Sequence, residues 1–281
     1  MNALFTRSLL VAALFLTGCD QMPSQVLAAD ASVVLSPWNE LPQIEAETLR
    51  FVPAETTAGA DLFIAASESR GLLVLDGKGA ELARLPGNYS ALDSRKAGDS
   101  LIVASINNST QQATLVGLDL PARKWGHTLA LPARDFAVAG LCLYRDKANN
   151  LFLFLVGEEG RGEQWLVGTA NRLSASARQV RRLPLPPQAE YCQADDSADR
   201  LFVNEENLGL WAYPAHPEAD ASRVPVDMRA PFGRLKTSAG AMASVPGGLL
   251  VLDPSARALH LYQQQGEHWR SVGPVPVSYT H

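Results

Sequence analysis

One phrase recurs along this chain and limits what it can fold into: a turn, a short apolar strand, a polar turn, and a second apolar strand. It appears as "ADLFIAASESRGLLVLDGKGAELARLP" from Ala60 and as "DSLIVASINNSTQQATLVGLDLPARKWGHTLALP" from Asp99. It returns in "NNLFLFLVGEEGRGEQWLVG", "DRLFVNEENLGLWAYP" and "GGLLVLDPSARALHLYQQQGEHWRSVG". The leading leucines are Leu62, Leu101, Leu151, Leu201 and Leu249, separated by 39 (101 − 62), 50 (151 − 101), 50 (201 − 151) and 48 (249 − 201) residues. Strands of this composition between Gly, Asp and Asn are hairpin signals. A hairpin repeat of this period predicts an all-β propeller with one four-stranded blade per repeat, five of them legible. "ANRLSASARQ" is the one stretch readable as a short helix, and it fits a hairpin loop equally well. The Gly-His and Trp-Asp marks of WD repeats are absent.

The first residues have a different character. Arg7 precedes "SLLVAALFLTG", too short to span a bilayer comfortably, and "LTGC" ends at Cys19. That order predicts a secretory signal over residues 1–18, and the segment resembles a bacterial lipobox with Cys19 as the acylated residue. Residues 19–50 are expected to be a lipidated tether and 51–281 the propeller. This implies a bacterial envelope protein facing the periplasm and held to the membrane by lipid. No second apolar run reaches the roughly 18 residues of a membrane span. A net charge of −5 with no basic run argues against nucleic acid as a partner.

With Cys19 set aside, Cys142 and Cys192 can form a disulfide in an oxidising compartment or stay as two buried thiols. His127, His216, His260, His268 and His281 show no zinc-ligand spacing, and neither a G-x-S-x-G elbow nor a P-loop occurs. "DGKG" at Asp76 reads as a tight hairpin turn.

"GLCLYRDKANNLFLFLVGEEGRGEQWLV", followed by "VRRLPLPPQAEYCQADDSADRLFVNEENLGLWAYP", resembles the middle of the β-propeller phytases. The resemblance is dense over residues 140–214 and weaker at "RGLLVLDGKGAEL". It implies a six-bladed calcium enzyme, a 3-phytase, that removes phosphate from myo-inositol hexakisphosphate. Calcium takes several carboxylate oxygens at about 2.3–2.6 Å, and a metal-bound water attacks phosphate clamped by Lys and Arg. By resemblance Glu190 matches a metal ligand and Glu206 a catalytic carboxylate, both near the central channel.

Departures from the family's pattern are as informative. The Asp-x-Glu-Gly-Leu segment expected shortly after Asp227 is replaced by "TSAGAMA". Glu68-Ser69-Arg70 stands where the family has a Lys pair, and "INNS" replaces an Arg. Ala139 replaces a tyrosine and Glu158 a lysine. Exchanging a phosphate-clamping lysine for glutamate reverses the local field. Asp195, Asp196 and Asp199 are expected in a turn, bonded to backbone, and Arg145, Arg181 and Arg182 on a solvated face. The chain therefore looks like the incomplete amino-terminal domain of a two-propeller member, weak or inactive alone, with inositol phosphate, a second propeller domain and the membrane as implied partners. The alternative is a non-catalytic binding or scaffold propeller of the envelope.

Overall fold

Each repeated phrase folds into one antiparallel sheet of four strands in sequence order. The computed structural model describes residues 44–57, 59–266 and 268–276. The signal segment, Cys19 and most of the expected tether lie outside the described residues. The first sheet holds β1 (Thr48–Val52), β2 (Leu62–Ser67), β3 (Gly71–Asp76) and β4 (Glu81–Leu85), with a single helical turn, α1 (Ala54–Thr57), after β1. The second holds β5 (Tyr89–Ala97), β6 (Ser100–Asn107), β7 (Gln112–Asp119) and β8 (Lys124–Ala130). The third holds β9 (Val138–Arg145), β10 (Leu151–Gly157), β11 (Glu159–Thr169) and β12 (Arg172–Pro187). The fourth holds β13 (Cys192–Asp195), β14 (Arg200–Glu205), β15 (Gly209–Pro214) and β16 (Val224–Met228). The fifth holds β17 (Met242–Val245), β18 (Gly248–Asp253), β19 (Ala258–Gln265) and β20 (His268–Pro276).

The leading leucines all lie at the start of the second strand of a sheet, where they are buried. These second strands are apolar on both faces, as in LFIAAS of β2 and LFLFLVG of β10, whose residues are all buried. A strand covered on both faces must lie between two packed layers. The layers are the neighbouring blades. Ile64, Val74, Val103 and Val116 fill the space between the first and second sheets. Ile102, Leu115, Leu143 and Leu153 fill the next. Phe154, Val156, Val203 and Tyr213 follow, and then Phe202, Leu210, Leu249 and Val251. The first sheet's other face packs Phe63, Ala65, Leu73 and Leu75 with Ile44 and Ala46. At about 25 cal/mol per Å² of apolar area removed from water, these interfaces supply the main driving force for folding.

The ambiguous stretch "ANRLSASARQ" is not helical. Ala170 and Asn171 form the left-handed turn between β11 and β12, and β12 continues for 16 residues. Three register shifts along the β11–β12 ladder curve this pair. The expected "DGKG" turn is present, with Asp76 Oδ1 accepting from the amides of Lys78 and Ala80, each at 2.8 Å. The two cysteines are joined in a disulfide that links β9 to β13. β1 starts at Thr48, inside the span expected as tether.

Candidate functional site

The first strands of the five sheets line one central channel, and all run the same way, because every hairpin sheet is re-entered by an outer-to-inner crossover. The channel therefore has a mouth at the strand starts and another at the strand ends. The starting mouth is a cavity of about 710 Å³ walled by Glu47, Arg50, Ser90, Asp93, Val138, Ala139, Glu190, Tyr191 and Gly240, among others. The opposite mouth, about 700 Å³, is walled by Arg50, Arg95, Lys96, Gln193, Asp195, Asp196 and Ser244.

This polarity divides the acidic stretch around residue 200 in two. Asp195 ends β13 and, with Asp196 of the β13–β14 turn, walls the far mouth; Asp199 closes the same turn, and each of the three is engaged locally or across blades. Asp195 Oδ1 accepts from the Ser197 amide at 2.9 Å, its hydroxyl at 2.6 Å and the Ala198 amide at 3.1 Å. Asp196 accepts from Arg95 Nε at 2.9 Å and the Arg145 amide at 3.2 Å. Asp199 accepts from the Tyr144 hydroxyl at 2.7 Å and pairs with Lys147 at 2.8 Å. Burial, then this hydrogen bond and the carboxylate charge, push the Tyr144 phenol well above its ordinary range.

Glu190 is on the wall of the starting mouth. Asn204, almost fully buried, fixes the backbone there: its Oδ1 accepts from the amides of Glu190 at 2.9 Å and Tyr191 at 2.7 Å. Its Nδ2 donates to Ala239 O at 3.2 Å, holding the "TSAGAMA" segment against the same strand. Gly140 allows the close approach of β9, since a Cβ there would lie 2.0 Å from Glu190 O. Burial, with the Glu190 charge and its hydrogen bond, raises the pKa of Tyr191. Glu206 is not on the channel wall. It is exposed in the β14–β15 turn at the same end, and its amide donates to Gln188 O at 3.2 Å. The reason is topological: first strands line the channel, whereas Glu206 follows a second strand.

The arginines expected on a solvated face divide as well. Arg182 is exposed, but Arg145 and Arg181 are half-buried. Arg181 donates to the carbonyls of Pro214 at 2.8 Å and of His216 and Ala219 at 3.0 Å. Arg145 bonds Lys96 O. Burial lowers the pKa of both. Arg181 fills the acceptor demand of the irregular segment after β15, and Arg145 ties the third blade to a carbonyl of β5.

A second network on the channel was not anticipated. Asp93, 1% exposed, pairs with Arg50 of β1 and with Arg95 Nη1 at 3.0 Å, and accepts from the Leu143 amide at 2.8 Å. Arg95 also donates to Leu143 O at 2.6 Å and Ala194 O at 3.3 Å. Burial disfavours the Asp93 carboxylate, but the two guanidinium groups and the Leu143 amide outweigh it and lower its pKa. Ser244 Oγ reaches Ala194 O at 3.3 Å. Polar side chains thus tie all five first strands together. The signal was Asp-Ser-Arg in a strand, since residues i and i+2 share a face.

The chemistry of the starting mouth follows from these partners. Arg50 is the cation among its described wall residues, and it is paired with Asp93. Glu47 and Glu190 leave the wall acidic. Where the family pattern places phosphate clamps, Arg70 pairs with Glu81 and Glu68 accepts from Asn108 Nδ2 at 3.2 Å. Ala139 lines the cavity and Glu158 is exposed. Among the described residues, no group of three or more His, Cys, Asp or Glu side chains is placed to hold a metal ion. The residues present do not fit a multi-calcium centre, which needs six to eight oxygens per ion.

Comparison with known proteins agrees with this architecture. The family model described as Phytase matches residues 63–238, more than half of the chain. The 3-phytase of Bacillus subtilis (strain 168) is 26% identical over 132 residues, covering 47% of this chain and 33% of its own length. The chain thus spans about a third of the length of the curated relative it matches. Among solved structures, the Myceliophteria thermophila Cps50 (Swd1) β-propeller domain superposes with a TM-score of 0.55 at 12% identity, over 82% of this chain and 69% of that one. A chain of a humanised mutant of the Chaetomium thermophilum Polycomb Repressive Complex 2 gives 0.55 at 11%, over 83% and 52%. At such identities these structures show the propeller fold alone.

Proposed function

The chain belongs to the Phytase family, and from that premise we propose that it is a phytase-like propeller of the bacterial envelope, weak or inactive by itself toward inositol hexakisphosphate. The observation that carries this reading is the starting mouth. Glu190 stands on its wall outside any group of three or more His, Cys, Asp or Glu side chains placed to hold a metal among the described residues, and the "TSAGAMA" segment presents Gly240, Ala241 and Met242 to the same cavity. Its arginine is neutralised by Asp93. A phosphoryl-transfer site works by concentrating positive charge on the transferred group, and an acidic wall opposes that. The matched 3-phytase supports phosphate ester chemistry as the activity of the relatives; a second, complete propeller domain is the catalytic partner this reading proposes.

Calorimetric titration of the full chain with calcium tests the metal half of the proposal. Heat consistent with millimolar or weaker binding, unchanged in Glu190→Ala, is expected, because isolated carboxylates bind calcium poorly. Micromolar binding lost in Glu190→Ala would overturn it. The envelope assignment rests on "LTGC" and is tested by labelling with a tagged fatty acid. Cys19→Ser is expected to stall processing and abolish acyl labelling of the chain, and undiminished labelling of the variant would contradict an anchor at Cys19.

A further inference from the structure

The crossover from β16 to β17 carries the sequence Arg229-Ala-Pro-Phe-Gly-Arg-Leu-Lys236, and at its tip Phe232 is 86% exposed. A lone exposed apolar side chain is ordinary, but this one stands on a rigid mount. The Ala230 amide donates to Leu235 O at 2.8 Å, and those of Phe232 and Gly233 donate to Arg229 O at 3.0 and 3.2 Å. Asp227 Oδ1 accepts from the amides of Met228 at 2.8 Å and Arg234 at 3.1 Å, while Asp227 Oδ2 accepts from the Tyr262 hydroxyl at 2.7 Å. Leu235, fully buried, pins the loop into the core between the fourth and fifth blades. Gly233 is needed for this tight path, since a Cβ there would lie 2.1 Å from Met228 O. The fold therefore holds Phe232 out in water at a conformational cost already met by the loop.

The exposed charge around the tip is mostly positive. Arg229, Arg234 and Lys236 are exposed, and Lys236 Nζ reaches Ser255 O at 3.1 Å. The adjoining β14–β15 turn is bonded to the loop through the Arg229 amide and Leu208 O at 2.7 Å. That turn adds a second exposed apolar side chain, Leu208 at 40%, and one exposed carboxylate, Glu206. Among exposed side chains, three cations and one anion accompany two apolar groups, with the half-buried Asp227 carboxylate beneath the loop, on a chain whose net charge is −5.

We propose that this loop is an interfacial anchor that docks the starting-mouth end of the propeller on an anionic lipid surface. An aromatic tip entering the headgroup region, with basic side chains around it, combines apolar burial with attraction to anionic lipid. The patch is convex, a narrow tip rather than a broad face. A protein partner would need a wide complementary surface to make such a tip useful, whereas a fluid bilayer closes around it. Docking here places the starting mouth toward the membrane and is independent of acylation at Cys19.

The test uses the full chain with Cys19→Ser in every arm, so that no acyl group contributes and residues 1–18 contribute equally throughout. Vesicles are phosphatidylcholine alone or with roughly a third phosphatidylglycerol, a composition that supplies the negative surface potential. On anionic vesicles, Phe232→Trp is expected to add blue-shifted emission, relative to the parent chain, that brominated acyl chains quench. On neutral vesicles it should add water-exposed emission only. Phe232→Ser should weaken partitioning to anionic vesicles about tenfold, and each of Arg229→Gln and Arg234→Gln about fivefold. All three positions are exposed, so unchanged circular dichroism serves as the folding control. Emission that stays water-like on anionic vesicles overturns the proposal. So does an equal shift on neutral vesicles, or binding that depends on the cations but not on Phe232. A blue shift without lipid as protein concentration rises would assign the patch to a second copy of the chain instead.

Discussion

His260 shows how much a single residue can hide from its sequence. It lies in β19, 3% exposed, with neither ring nitrogen bonded, and its Nε2 is 3.9 Å from Asp253 Oδ2. Asp253 already accepts from the Lys236 amide at 2.6 Å and the Ala256 amide at 2.9 Å. Burial lowers the His260 pKa below 6.5, with the charges of Asp253 and Asp227 pulling upward and Arg234 downward. The unfolded chain therefore binds a proton near pH 6.5 that the folded chain refuses. Stability from this group is complete above that pH and is lost as pH falls toward the depressed folded value. Urea unfolding at about pH 7.5 and about pH 5.5 should show a loss of midpoint on acidification that shrinks in His260→Phe. An unchanged pH dependence in the variant would remove His260 from the acid limb. At this scale the sequence was legible where partners are local. Asp195 caps its own turn, as turn chemistry expects. It was illegible where partners are distant, as for Arg95 and Asp196, which are 101 residues apart. Arg145 and Arg181 were misread for that reason, since nothing near them in sequence announces the carbonyls they serve.

Strands and turns were the most readable level. A run such as LFIAAS between turn residues can be little else than a covered strand, and the hairpin at Asp76 follows from Asp and Gly alone. The length of β12 was not readable, because bulges interrupt the alternation that would have marked it. The pairing of Cys142 and Cys192 also needed the structure, since it depends on two first strands lying side by side with Cα atoms 5.9 Å apart. That disulfide closes a loop of 50 residues between the third and fourth blades, beside Tyr191 and Glu190. Chain-entropy reasoning gives about 4 kcal/mol for a loop of that length, and measured cases cluster at about 2–4 kcal/mol. Replacing both residues, Cys142→Ala with Cys192→Ala, should lower the denaturant midpoint by a corresponding amount and leave β circular dichroism unchanged. An unaltered midpoint would mean that apolar packing alone sets this blade interface.

On the scale of the molecule, spacing alone conveyed five blades, because a constant period is a direct image of a repeated sheet. What it could not convey was polarity: which end of the channel each acidic residue occupies. Glu190 and Asp195 are five residues apart in sequence yet at opposite mouths, because β13 runs the length of the channel between them. Glu206 returns to the first end one strand further out. This geometry leaves the starting mouth with an acidic wall, a neutralised arginine and no carboxylate cluster among the described residues. Each lost metal or clamp contribution typically removes a few kcal/mol of transition-state stabilisation, so several together should reduce turnover by many orders of magnitude. The decisive measurement is phosphate release from inositol hexakisphosphate by the full chain at neutral pH, with calcium and with a chelator. Release at the level of the uncatalysed background, identical under both conditions, is the expected result. Robust, chelator-sensitive release that disappears in Glu190→Ala would contradict it and make this chain a working calcium phytase.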